Sequence, residues 1–315
     1  MAKFEDRTTR PVHGAADILR WKVLRKDPDP RGDDFKELDL VRPGQREGGA
    51  AALSSGEPCA VWIGHASWGL RLGGQLVVID PVFSMALSGV VKRLVPPAFP
   101  IDECPAPDLV LVTHDHRDHL DLPSIAGLPD SATYIVPLGN GPRIAKLKHS
   151  KVVELDWWQT HQHGSLEITL VPARHWSMRM PWNRNDTLWG GYIIRGPEGT
   201  AYHSGDTAWG EHFAEIGQRI GGAVGRAGID WAMLPIGAYS PRWFMAAQHV
   251  NPDEALDGFM ALGAKHFLAM HWGTFKLTDE AVGEPKQRIL KLWSERGLDP
   301  ARLWLMDIGE SRSLR

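Results

Sequence analysis

The chain has 315 residues, a formal net charge of -3 and a pI near 6.5. That length buries the core of one large α/β domain or two small ones, and the charge excludes the basic surplus of a general nucleic-acid binder. The two cysteines, Cys59 and Cys104, stand far apart in no C-x-x-C arrangement, so they offer neither a disulfide framework nor a thiolate zinc site, and a reducing compartment is expected.

Residues 1–57 are mixed in charge and rich in Pro and Gly. They lack the apolar core of a secretion signal, and no stretch of the chain approaches the roughly 18 apolar residues of a membrane span. A cytoplasmic protein is the expectation. One apolar island, residues 18–24 in DILRWKVLRK, carries Arg20, Lys22, Arg25 and Lys26 on a basic side, and Asp17 is placed to cap it as a short helix. Such a segment lies on an anionic membrane surface or packs on the domain; its shortness favours packing. Residues 44–58 read as a flexible connector. The expected organisation is an N-terminal extension, 1–57, partly packed on a domain spanning 58–315.

From Cys59 the pattern is strand-like: CAVWIGHAS and LRLGGQLVVIDP, with Gly73 and Gly74 as a hairpin turn. His65 and Asp80 close these strands, where loops of layered α/β folds carry function. Asp80 is suited to accept a hydrogen bond from a metal-ligating imidazole. Next comes LVLVTHDHRDHLD, residues 109–121. Its apolar start reads as a buried strand, and the three imidazoles and two carboxylates of residues 114–119 suit a metal better than a core. His114 and His116, two apart, converge on one ion, while Asp118 and His119 reach a second. Zinc is the first choice for imidazole donors, with other divalent transition metals also compatible.

Beyond this loop, residues 122–128 and 143–147 suit short helices, and TYIVPLG, KVVELDWW and LEITLVPARHW read as strands, the last closed by His175. His161 and His163 form another H-x-H pair, read as exposed loop because no buried strand leads into it. A hairpin of YIIR and TAYHS ends at Asp206, a carboxylate able to bridge two ions. A helix follows at 211–220, then the buried strand WAMLPIG. His249 precedes a helix capped by Asn251 or Asp253, KHFLAMHWGT ends a strand in His271, and the tail reads as a helix and a closing strand. The fourteen tryptophans suit either core packing or the walls of a site for an amphiphile.

THDHRDHLD, ARHW, SGDT and HWGT, in that order, resemble the metallo-β-lactamase superfamily. Within it, IGHAS, IDPVFS, VPLG, VELDWW, LWGGY, PIGAYSPRWFM, QHVNPDEA and AMHWGTF resemble the phospholipases D that hydrolyse N-acylphosphatidylethanolamines. The resemblance runs from about residue 17 to the C-terminus. It implies an α/β (α+β) fold, a four-layer αββα sandwich. It also implies two zinc ions, one on His114, His116 and His175, the other on Asp118, His119 and His271, with Asp206 bridging. His249 and Asp80 become site residues beyond the metals.

The activity so implied is a dinuclear zinc phosphodiesterase of phospholipase D type, acting through a water that zinc acidifies towards a pKa of about 7. His249 would serve as acid or hydrogen-bond donor. The competing readings are a lactonase or other ester hydrolase on the same scaffold, a nuclease, which the acidic balance disfavours, and a non-catalytic module, which a complete donor set disfavours. Expected partners are a lipid or small-molecule ester, a peripheral membrane contact and a second copy of the chain, with no nucleic acid.

Overall fold

The structure is a computed structural model that describes residues 3–7, 13–24, 48–222 and 228–315. Its first described segment already packs: Phe4 is buried in the main core, its N–H donates to the Asn185 carbonyl at 2.9 Å, and Asn185 Nδ2 donates to Glu5. In α1 (Ala15–Lys22) Asp17 lies inside the first turn and accepts from the Gly14 N–H at 3.1 Å, capping the helix from its third position. Only Trp21 of this island is buried, against Ala238, Phe244 and Met245, with Nε1 donating to Asp279. Ile18, Leu19, Val23 and Leu24 remain exposed. Arg25 and Lys26 lie outside the described residues.

The expected connector is in part a helix, α2 (Gly49–Ser54). Its alanine run favours helix despite the flanking glycines, and Leu53 anchors it in the core. Residues 44–47 lie outside the described residues. There follow β1 (Cys59–Gly64), β2 (Ser67–Leu72) and β3 (Gln75–Ile79), an antiparallel meander. Gly73 and Gly74 turn β2 into β3 at φ +57° and +75°, a pair of left-handed positions that a two-residue hairpin requires.

A small hairpin, β4 (Ala86–Leu87) and β5 (Val91–Lys92), precedes β6 (Leu109–Leu111). Helix α3 (Leu122–Gly127), β7 (Thr133–Pro137), α4 (Gly141–Ala145) and β8 (Val152–Leu155) complete this half. Strands β3, β6, β7 and β8 run parallel. A parallel strand covered on both faces needs no polar alternation. Accordingly Leu109 and Leu111 face the core between the sheets, whereas Val110 packs outward with Ile125 and Ile144 beneath α3 and α4. Truncating Leu111 to alanine would cost about 2–5 kcal/mol.

The second half begins with β9 (Thr160–His163), so His161 and His163 lie on an edge strand and not in the expected loop. Its polar side chains suit an edge, where an apolar strand would invite pairing with other chains. Then come β10 (Leu166–Val171), β11 (Gly191–Arg195), β12 (Thr200–His203), α5 (His212–Gly221), β13 (Trp231–Pro235), α6 (Arg242–Met245), α7 (Pro252–Leu262), β14 (His266–Met270) and α8 (Glu284–Glu295). The tail forms two short strands in place of one: β15 (Leu303–Trp304) edges the second sheet, and β16 (Ser311–Ser313) crosses back to pair with β1.

Two seven-stranded sheets result, ordered β16-β1-β2-β3-β6-β7-β8 and β15-β14-β13-β12-β11-β10-β9. One apolar core draws on both, and α5, α7 and α8 pack together over the second sheet. This is the expected αββα sandwich. Most tryptophans are core residues, Trp62, Trp68 and Trp189 being fully buried.

Candidate metal centre

Every side chain singled out for chemistry except His249, which lies between α6 and α7, sits at or shortly after a strand end. Beyond β6, Thr113 locks the turn to the end of β3: its N–H and hydroxyl donate to the two oxygens of Asp80, each at 2.7 Å. Asp80 Oδ2 also lies 2.7 Å from His119 Nδ1. A carboxylate only accepts here, so Nδ1 carries a proton and Nε2 faces inward towards Asp206, where its lone pair would be available once an ion displaced the second proton. His175 follows β10 and is oriented alike, with Nδ1 donating to the Gln248 carbonyl at 2.9 Å. Asp206 follows β12, and His271 follows β14 in the left-handed conformation, φ +61°.

His249 is placed by its neighbours on both sides. Asn251 caps α7 through a reciprocal box with Glu254, at 2.9 and 3.2 Å, and Pro252 occupies the first turn. Arg242 of α6 then ties Glu254 and the His249 carbonyl together, at 2.8 and 3.0 Å.

Two groups of inward-facing donors result. In one, His116 Nδ1 lies 2.9 Å from His114 Nε2 and 3.1 Å from His175 Nε2. In the other, Asp118 Oδ2 lies 3.5 Å from His271 Nε2 and 3.8 Å from His119 Nε2. Asp206 stands between them. Its Oδ2 is 3.1 Å from His119 Nε2 and 3.9 Å from the nearest nitrogens of His114, His175 and His249, while Oδ1 is 3.2 Å from His271 Nε2. All seven expected donors are therefore brought together, and His249 joins them. His161 and His163 do not.

Burial governs the charge states. It holds His114 well below the usual imidazole range, aided by the neighbouring histidines, and pushes His116 down to about 4 and His175, His249 and His65 to about 3. Burial acts the same way on His119 and His271, but Asp206 outweighs it, with Asp80 and Asp118 adding. His119 is held well above its usual value and His271 is raised to about 9. For Asp118 and Asp206, burial alone would raise the pKa; the facing imidazoles, His119 foremost, hold both well below the carboxylate range.

These residues fit divalent transition ions. The donors are imidazole nitrogens and ionised carboxylates, the set such ions prefer. Asp206 Oδ1 and His271 Nε2 are buried at 3.2 Å from each other and yet make no hydrogen bond. Atoms that approach so closely without pointing at one another share a third point, and a cation there satisfies both. Beyond the seven expected donors, His249 stands with His175 and Asp206, and His65 stands with Asp118, His119 and His271. Its position at a strand end, like that of Asp80, was the signal for it.

Residues 75–272 match the family model described as Beta-lactamase superfamily domain. This chain belongs to the metallo-β-lactamase superfamily. An uncharacterized protein of Mycobacterium tuberculosis is 36% identical over 87% of the chain and 72% of that protein. The N-acyl-phosphatidylethanolamine-hydrolyzing phospholipase D 1 of Caenorhabditis elegans is 33% identical over 94% of the chain and 87% of its own length. Among solved structures, the isothiocyanate hydrolase from Delia radicum gut bacteria shares the fold at a TM-score of 0.63 and 17% identity, covering 81% of this chain and 98% of that one. Family and donor set together make this superfamily member a metal-dependent hydrolase.

Proposed function

We propose that the chain is a dinuclear zinc phosphodiesterase that hydrolyses N-acylphosphatidylethanolamine-type lipids to N-acylethanolamine and phosphatidic acid. His114, His116 and His175 would hold one ion and Asp118, His119 and His271 the other, with Asp206 available to both. The C. elegans relative supports the substrate class. The observation that carries the lipid reading is an apolar rim attached to the donor loops. Of the exposed large hydrophobic residues, Ile18, Leu19, Val23 and Leu24 lie on or just after α1, Trp243 on α6, Met85, Val90 and Leu94 on and around the β4–β5 hairpin, and Met180 and Trp182 on the loop after His175. Only Trp209, Met260 and Leu290 lie elsewhere among the described residues.

Each rim segment is tied to a loop that carries donors or to a neighbour of one. Ser84, beside the hairpin, donates to Asp121, Arg179 donates to the Asp115 carbonyl, and Arg242 donates to that of His249, while α1 packs on α6 through Trp21. Arg20, Lys22, Lys92, Arg117 and Arg184 intersperse the rim with positive charge. Apolar side chains among cations suit a surface of anionic lipids. No helix among the described residues is long and apolar enough to cross a membrane, which leaves peripheral contact as the proposed mode. The groove lined by Trp157, Trp158 and Trp209, about 880 Å³, includes none of the clustered donors, so the acyl chains are assigned to the rim.

When bound, the ions supply a water acidified to react at neutral pH and neutralise charge gathering on the phosphoryl oxygens. The chain's own residues prepare that chemistry. Asp80 fixes the tautomer of His119, and Gln248 that of His175. His249, kept neutral by burial, offers its ring N–H to the departing alkoxide oxygen as a hydrogen-bond donor; its pKa of about 3 makes it no cationic acid at neutral pH. A water oxygen bonds to phosphorus as the P–O bond to the ethanolamine oxygen breaks, and the proton that the water gives up ends on the leaving oxygen, so that lipid plus water becomes N-acylethanolamine plus phosphatidic acid. A panel of simple phosphodiesters and lactones tests the reaction class: preferential cleavage of the diesters is expected, and turnover of lactones alone would replace this reading with the lactonase.

A further inference from the structure

Four side chains, not three, meet at the Asp118 half of the centre, and the fourth, His65, is distinguished by what it bonds. Its Nε2 lies 3.0 Å from Asp118 Oδ2. Since an ionised carboxylate only accepts, Nε2 carries the proton and has no lone pair to offer an ion. The opposite tautomer would bury an Nδ1–H without an acceptor, because that nitrogen has no partner.

The backbone of His65 makes a separate set of bonds. It occupies the left-handed region at φ +57°, and its N–H donates to Thr274 Oγ1 at 2.8 Å. Its carbonyl accepts the His271 N–H at 3.0 Å and the Trp62 indole N–H at 2.9 Å. The two imidazole rings lie 4.0 Å apart. Metal-binding imidazoles are ordinarily aimed by a hydrogen bond on the outer nitrogen, as His119 is by Asp80 and His175 by Gln248. The outer nitrogen of His271, Nδ1, has no such bond. Behind the ring stand instead the carbonyl and the imidazole of His65.

We infer that His65 is the positioning residue of the Asp118–His271 half: its ring aims Asp118, and its peptide and ring face fix His271. This rests on the two-ion reading above. The other half, oriented through Thr113 and Gln248, does not depend on it. Loss of the His65 ring therefore weakens one ion and spares the other.

The test is a zinc titration by calorimetry, with ions counted after dialysis, on the wild-type chain, H65G and H65N. Glycine accepts the left-handed backbone without strain. Asparagine is among the few other residues common there, and its side-chain N–H can donate to Asp118. Two ions are expected in the wild type. In H65G the first should bind as before and the second about 10–100-fold more weakly, with H65N between them. Cobalt-loaded protein should lose the visible absorption of one site only. Unchanged second-ion affinity in H65G and H65N overturns the inference while leaving the two-ion reading intact, as does an equal loss of both ions. A wild-type chain that binds one ion overturns the two-ion reading and the inference with it. If H65G does not fold, H65N decides: a second ion bound several-fold more weakly is expected, and wild-type affinity for both ions contradicts it.

Discussion

The donor loops and the rim around them are built on opposite principles. At the loops, His114, His119, Asp206 and His271 are almost wholly buried, and Asp80 alone receives three hydrogen bonds of 2.7 Å. At the rim, Val90 is 80% exposed and Trp182 77% exposed. Preorganised donors fix what bond can be broken, because their geometry does not wait on the substrate. Exposed apolar side chains contribute nothing to that geometry and cost solubility, and on the proposed reading their place is to meet a lipid.

Substitutions should separate the two regions. The largest effect is expected from Asp206→Asn, which removes the carboxylate shared by both groups: hydrolysis of a soluble phosphodiester should fall by more than the roughly 10–100-fold typical of an outer partner, with fewer than two ions retained on dialysis. His249→Ala should lower kcat by about 10²-fold or more at unchanged metal content; a loss of metal instead would make His249 a ligand. Asp80→Asn should weaken metal binding by about 10–100-fold by freeing the His119 ring, measured by competition with a chelator.

Acid should strike the loops and not the rim. In metal-free protein, His65, His116, His175 and His249 have folded pKa values of about 3 to 4, below the roughly 6.5 of the unfolded chain. The unfolded chain then binds more protons, so their contribution is complete above pH 6.5 and is lost as pH falls towards 3. His271, held at about 9, acts in reverse: its contribution is complete below 6.5 and lost as pH rises through 9. The thermal midpoint of the metal-free chain should therefore fall on acidification from pH 6.5 to 5, and a rise would contradict this balance. The smallest and most selective effect belongs to the rim. Val90→Asp with Trp182→Ala should reduce hydrolysis in anionic vesicles several-fold, about 1 kcal/mol of lost surface binding, and leave a soluble diester untouched.

Much of the centre was legible because local strings carry it. The loop at residues 114–119 holds four donors after one strand, and His175, Asp206 and His271 each close a strand of their own. The tautomer of His119 was foreshadowed by Asp80, but the pairing itself depends on β3 and β6 lying side by side. The work of His65 was hidden for the same reason: its partners stand 53 and 206 residues away, and no spacing rule reaches so far. Helix α2 was obscured by flanking glycines that signal a loop, and β9 by polarity that belongs equally to loops and edge strands. The exposure of α1 was not legible because hydrophobicity alone does not tell a buried face from an exposed one.

The most direct measurement is product analysis of the two-zinc protein on vesicles containing N-acylphosphatidylethanolamine. Equimolar N-acylethanolamine and phosphatidic acid, formed only with metal present, is the predicted result. Intact lipid from a fully loaded protein that opens lactones would contradict it.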